Sequence, residues 1–244
     1  MLDVVLAADR PVEGGTDVPG RVSIRPGGSA ANTARWLARL GVRTQLVCAV
    51  GRDGAGRALV EKVRADGVIV RAARVAGQRT GRIGVLVAPG GERSFVADRR
   101  AADGLRPDDL RPAWFNDIDL VHLPAYSLLA EPLGLAGRRA IELARERLAL
   151  VSLDLASIGP LLSRGRRAAR DLVRDVAADI LFGTEKESEA LLGRYGLEGL
   201  LEFAGIAIVK QGSRGATVLA REGESAPLRF EIATSSVAVA DTTG

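Results

Sequence analysis

A chain of 244 residues, 47% apolar and 26% charged, can bury a full hydrophobic core and is too apolar for intrinsic disorder. Its net charge of +4 and pI near 9.8 invite a nucleic-acid reading, but Lys62, Lys186 and Lys210 are the only lysines and the arginines stand scattered beside acids. With aromatics at 4% there is no base-stacking surface, and no apolar run approaches the roughly 20 residues of a membrane helix, so neither nucleic acid nor membrane is an expected partner.

The single Cys48 rules out an internal disulfide framework and reads as a small core residue. Residues 1–10 carry two aspartates and no basic leader, so they are not a secretory signal, and a cytoplasmic setting is expected. Residues 1–7 form a short apolar run interrupted by Asp3; with so little chain ahead of Asp3, a complete first strand is not expected. Residues 10–26 are polar and punctuated by Pro11, Gly14, Gly15, Pro19 and Gly20, while residues 21–25 alternate polar and apolar as a half-buried strand does.

At residues 26–41, Gly27 and Gly28 open a turn and Ser29 is predicted to cap the following helix through its hydroxyl. Residues 30–40 are good helix formers, and Gly41 supplies the stop. The two glycines let a ligand approach the backbone, and Asn32 in the first turn offers a donor and an acceptor suited to a hydroxyl-rich ligand. An ordinary Gly-Gly turn before a core helix fits the same pattern. A strand over residues 43–50 follows, then the glycine-rich loop Gly51-Arg-Asp-Gly-Ala-Gly56 and a helix over residues 57–66. The spacing GxxGxG is not the dinucleotide GxGxxG, and the absence of GxxxxGK[ST] removes a P-loop NTPase. Residues 68–76 and 82–88 read as strands, and the Pro-Gly-Gly turn at residues 89–91 joins the second to a strand over residues 93–97. This hairpin interrupts strand–helix alternation, so it is predicted to form an appended small sheet with residues 12–25.

From residue 119 the alternation resumes: a strand at 120–123 with His122, an amphipathic helix at 131–147, a strand at 148–155 carrying Asp154, and an arginine-rich helix at 165–177. A strand at 179–182 precedes a helix at 185–194, whose Glu185, Glu187 and Glu189 favour its N-terminal end. A strand at 206–209 enters the turn Gln211-Gly-Ser-Arg-Gly215, residues 216–220 and 228–233 read as an antiparallel pair, and residues 237–241 as a last strand. With no repeat and no interdomain linker, the chain is expected to be an α/β fold with a largely parallel sheet. His122, the only histidine, is assigned a structural role because no acid partner is evident.

The order of these motifs resembles the PfkB-type, ribokinase-like family of carbohydrate kinases. Residues 26–33 with Leu40-Gly41, followed by Val50-Gly51-x-Asp53-x-x-Gly56, look like the family's first signature. Thr80-Gly81 and the hairpin look like its lid, Leu153-Asp154 like its central strand, and Val239-Ala-Asp-Thr-Thr-Gly244 like the start of its second signature, DTTGAGDAF. The resemblance implies one kinase domain over residues 1–244: a three-layer α/β sandwich with a mostly parallel central sheet and a small β lid, its segments at about 10–25 and 73–100. It implies ATP- and Mg²⁺-dependent phosphorylation of a sugar or nucleoside hydroxyl, and leaves open a homodimer through the lid. Asp3, Gly27, Gly28 and Asn32 would contact substrate hydroxyls; for Asp3 a solvated N-terminal residue is the alternative. Thr184, Glu187, Gly212, Ser213, Arg214 and Gly215 would line the nucleotide.

Glu187 would also serve Mg²⁺, directly or through water, while the reading as a helix N-terminal charge stands equally. Thr184 replaces the family's usual Asn, which is expected to weaken the site without abolishing it. Thr242, Thr243 and Gly244 would begin the anion hole, but the family's base Asp would lie past Gly244, so no catalytic residue is assigned and the 244-residue chain, read as a fragment, is expected to have little or no kinase activity. A non-catalytic sugar- or nucleotide-binding protein is the alternative. A nicotinamide-dependent oxidoreductase is disfavoured by the missing GxGxxG.

Overall fold

Strand formation in the first hundred residues follows the β-branched runs, and the glycines and prolines between them set the boundaries. The computed structural model describes residues 1–221, 223 and 226–235; the strand expected at 237–241 and the anion-hole residues Thr242, Thr243 and Gly244 lie outside the described residues. The chain divides into two units, one spanning Met1–Leu105 and one beginning at Arg106.

The first unit contains β1 (Leu2–Ala8), β2 (Gly20–Pro26), α1 (Ser29–Arg39), β3 (Gln45–Gly51), α2 (Gly54–Ala65), β4 (Ile69–Val75), β5 (Arg82–Val87) and β6 (Arg93–Asp98). Contrary to expectation, β1 is a whole strand: it pairs antiparallel with β2 from Leu2–Pro26 to Ala8–Gly20 and parallel with β5 from Leu2–Arg82 to Ala7–Val87. The predicted hairpin β5–β6 is present, and the small sheet is four-stranded in the order β2-β1-β5-β6. It therefore recruits β1 as well as the two predicted segments. The reason is burial: Val5 and Val85 stand opposite each other at 6% and 1% exposure, a pair that neither strand could bury alone.

Helix α1 also departs from its predicted start. Gly28, at φ 105°, is the N-cap with no side-chain cap, and Ser29 is the first helical residue, so its hydroxyl does not cap the helix. The chain turns there through a conformation that favours glycine. Strands β3 and β4 pair in parallel, and with α1 and α2 they bury Ala34, Leu46, Val50, Val60, Val63, Val68 and Val70; Cys48 packs against this cluster.

The second unit contains β7 (Leu120–Pro124), α3 (Leu133–Arg145), β8 (Leu150–Asp154), the short α4 (Ile158–Leu161), α5 (Gly165–Val176), β9 (Ala178–Thr184), α6 (Glu185–Leu192), β10 (Ala204–Lys210), β11 (Ala216–Ala220) and β12 (Leu228–Ile232). They form a six-stranded sheet in the order β12-β11-β10-β9-β8-β7, with β7 to β10 parallel and β10 to β12 antiparallel. The parallel strands are mostly apolar, and Val151, Leu153 and Val209 at their centre are fully excluded from solvent. Asp154, Thr184 and Lys210 terminate three successive parallel strands, the sheet end at which open α/β folds take their ligands.

Candidate substrate and nucleotide sites

In the first unit, β1 carries Asp3 to the turn that precedes α1. A Cβ added to Gly27 would lie 2.0 Å from the Asp3 carboxyl carbon, so only glycine lets the two segments come this close. The backbone locks the approach: the Gly27 N–H donates to the Met1 carbonyl at 2.9 Å, and the Met1 amine donates to the Gly27 carbonyl at 3.1 Å. Asn32 sits in the first turn of α1, its N–H donating to the Gly28 carbonyl at 2.9 Å. Two side-chain oxygens here, Asp3 Oδ1 and Asn32 Oδ1, are buried and have no hydrogen-bond partner among the described residues. Burial pushes the Asp3 carboxyl above its ordinary value, and the Met1 amine opposes that shift. A buried acceptor without a donor is costly, and hydroxyl donors of a ligand would satisfy both oxygens.

The glycine-rich loop after β3 faces protein. Asp53 caps α2 by accepting from the Gly56 N–H at 2.8 Å, which starts the helix at Gly54 rather than at residue 57. It also accepts from the Thr80 N–H at 2.8 Å and the Thr80 hydroxyl at 2.6 Å, while Thr80 Oγ1 accepts from the Gly51 N–H at 3.0 Å. The Thr80 bonds are the main reason the Asp53 carboxyl is lowered to about 2. Cβ atoms on Gly51 and Gly56 would lie 2.6 Å from Thr80 N and the Gly51 carbonyl respectively, so these glycines make room for the chain at Thr80. The sequence signal was available as an Asp followed by glycines at a helix start, but its second partner lies 27 residues away.

In the second unit, Thr184 and Glu187 form a capping box at the start of α6: Thr184 Oγ1 accepts from the Glu187 N–H at 3.3 Å, and Glu187 Oε2 accepts from the Thr184 N–H at 2.7 Å. The helix-terminal role of Glu187 is thus realised, and one carboxylate oxygen is engaged by the backbone. The turn after β10 is tied to the same helix by Glu185, which accepts from Gln211 Nε2 at 2.9 Å and pairs with Arg214. Sequence reasoning passed over Glu185 as a helix charge. Gly212 has φ 61° with open space at its Cβ position, and Gly215 has φ 94° with its Cβ position 1.9 Å from the Ile232 carbonyl oxygen. Ser213 lies between them in the short turn Gly212–Arg214.

Beside this turn, Lys210 pairs with Asp154 at 2.7 Å, and Asp154 also accepts from the Ala156 N–H at 2.9 Å. His122 pairs across the strands with buried Ser152 at 2.9 Å and meets Phe182 edge-on; burial lowers its pKa. No group of three or more His, Cys, Asp or Glu side chains among the described residues could hold a metal by itself. The low activity expected of this chain concerns positions outside the described residues.

The sequence matches the family described as pfkB family carbohydrate kinase over residues 1–244. A fructokinase of Solanum tuberosum is 33% identical over 165 residues, 66% of this chain and 52% of that protein. The chain spans about half the length of the curated relatives it matches. Among solved structures, adenosine kinase from Sinorhizobium meliloti superposes with a TM-score of 0.82 at 21% identity, covering 98% of this chain and 79% of that one. An uncharacterized sugar kinase from Pyrococcus horikoshii in complex with ATP gives 0.82 at 22% identity, covering 100% and 78%. These structures share the α/β ribokinase-like fold, and the match that runs through every residue from 1 to 244 makes the chain a member of the pfkB family of carbohydrate kinases.

Proposed function

We propose that the protein phosphorylates a hydroxyl group of a sugar or nucleoside at the expense of ATP and Mg²⁺. The observation that carries this reading is the pair of buried oxygens on Asp3 and Asn32, without a partner among the described residues, beside the close approach at Gly27. Neighbouring sugar hydroxyls are donors that can satisfy such acceptors, and the carboxylate forms the stronger bond. The fructokinases among the relatives and the ATP-bound kinase among the neighbours support the same reading.

In the second unit, the backbone of residues 212–215 would border the nucleotide, with open space at Gly212 allowing close approach while Gly215 makes room for the Ile232 backbone. Glu185 holds that turn against α6, and Glu187 would meet the magnesium through water, its Oε2 being engaged by Thr184. The nucleotide supplies the phosphoryl group and magnesium offsets its charge; the chain's own task is to orient the accepting hydroxyl and exclude water. A homodimer through the small sheet, where Val22, Ile24 and Val96 are exposed, and a cytoplasmic setting complete the reading. None of the described helices is long and apolar enough to cross a membrane.

The test is a panel of sugars and nucleosides, scored by calorimetric binding and by acceptor-dependent ADP release. Binding with ADP release supports the proposal. Binding without release leaves the sugar reading standing and limits the 244-residue chain to binding, and the absence of both overturns the sugar reading.

A further inference from the structure

We propose that Asp53 is a positioning residue for Asp3, acting on the start of β1 through Thr80 and Gly81. The inference rests on the reading of Asp3 as an acceptor of sugar hydroxyls.

Capping α2 needs only the bond from the Gly56 N–H, yet both carboxylate oxygens of Asp53 also reach Thr80. Accepting from the N–H and the hydroxyl of one residue fixes both the place and the rotation of that residue. Thr80 is 2% exposed, and its own hydroxyl closes the loop by accepting from the Gly51 N–H. The next residue, Gly81, is equally confined: a Cβ there would lie 2.4 Å from the Arg99 carbonyl oxygen and 3.2 Å from Met1 Cγ.

The Gly81 carbonyl accepts from the Leu2 N–H at 2.9 Å, and the parallel register of β1 with β5 begins there, Leu2 beside Arg82 and Asp3 beside Ile83. The relay therefore runs from Asp53 to Thr80, Gly81, Leu2 and Asp3 through hydrogen bonds and adjacent backbone, with no flexible side chain after Thr80. Asp3 has no room to compensate for a shift, because its carboxyl lies against Gly27. Asn at position 53 keeps the size of the side chain but presents an amide donor where the Thr80 N–H also donates, so the clasp loses a bond while the helix cap survives.

The experiment is calorimetric titration of the 244-residue chain and its Asp53→Asn, Thr80→Val and Thr80→Ser variants with the tightest-binding member of the sugar and nucleoside panel. Asp53→Asn and Thr80→Val are expected to weaken sugar binding on the order of tenfold with stoichiometry unchanged. Thr80→Ser, which keeps the hydroxyl, is expected to bind as the parent does, and the double variant Asp53→Asn/Thr80→Val no more weakly than either single one. An unchanged Kd, with only stoichiometry or Tm reduced, would show a purely structural clasp and overturn the inference while leaving the sugar reading intact. A parent chain that binds no member of the panel overturns both.

Discussion

Gly215 and Gly212 lie in one turn at positive φ, yet they tolerate different changes. At Gly215 a methyl group would collide with the Ile232 carbonyl oxygen, which belongs to the backbone and cannot swing away. Gly215→Ala is expected to destabilise by about 3 kcal/mol in urea unfolding. Gly212→Ala meets open space and carries only the left-handed conformational penalty, about 1 kcal/mol. Asp3 and Asp53, both partly exposed, titrate in opposite directions. Hydrogen bonds hold the folded-state pKa of Asp53 at about 2, below the ordinary 3.8, so its contribution is present above that ordinary value and is lost as the pH falls through about 2. Asp53→Asn should therefore lower stability at neutral pH, a gap that closes on acidification when thermal unfolding is followed from pH 7 to pH 2. Asp3 is raised by burial, so the folded state holds its proton more tightly and stability falls as pH rises through that raised value. Asp3→Asn is expected to raise Tm at neutral pH while weakening sugar binding by about tenfold or more, because a charge-assisted bond to the ligand is lost. Stability and binding pull against each other at this residue.

Helix ends show how local chemistry and site placement share residues. The capping box at α6 occupies Thr184 and Glu187, which the family resemblance also placed at the nucleotide. Thr184→Ala is expected to lower stability by about 1 kcal/mol. Thr184→Asn keeps an equally good N-cap and restores the carboxamide usual in the family, so Tm should hold while the affinity for an ATP analogue rises. Calorimetry on the two variants separates capping from ligand contact. Helix α1 contrasts with α6: its N-cap is Gly28, and no side chain closes its first turn. The side-chain Oδ1 of Asn32 in that turn has no partner among the described residues, an acceptor that a hydroxyl donor would satisfy.

Across the molecule, the two units differ in the size of their cores. The second unit buries a broad set of leucines and valines around β8, β9 and β10, whereas the core cluster of the first is a smaller group of valines and alanines with Leu46. Leu153→Ala, at a fully buried central position, is expected to cost about 2–5 kcal/mol in urea unfolding. Amide exchange should find the central parallel strands of the second unit better protected than the four-stranded sheet of the first, whose Val22, Ile24 and Val96 are exposed.

The sequence by itself determined the strand–helix alternation from residue 119 to 210, the hairpin β5–β6 and the order of motifs, because periodicity, turn residues and cap spacing are local signals. It left Glu187 with two readings, since a carboxylate three residues after a Thr caps a helix whether or not it also meets a metal. Only the tertiary structure decided that β1 pairs on both sides within the small sheet, that Asp53 reaches Thr80, and that Asp3 Oδ1 and Asn32 Oδ1 lack partners among the described residues. Those facts depend on which backbone comes to lie beside a residue from far along the chain. Chain closure sets that, and no local pattern records it.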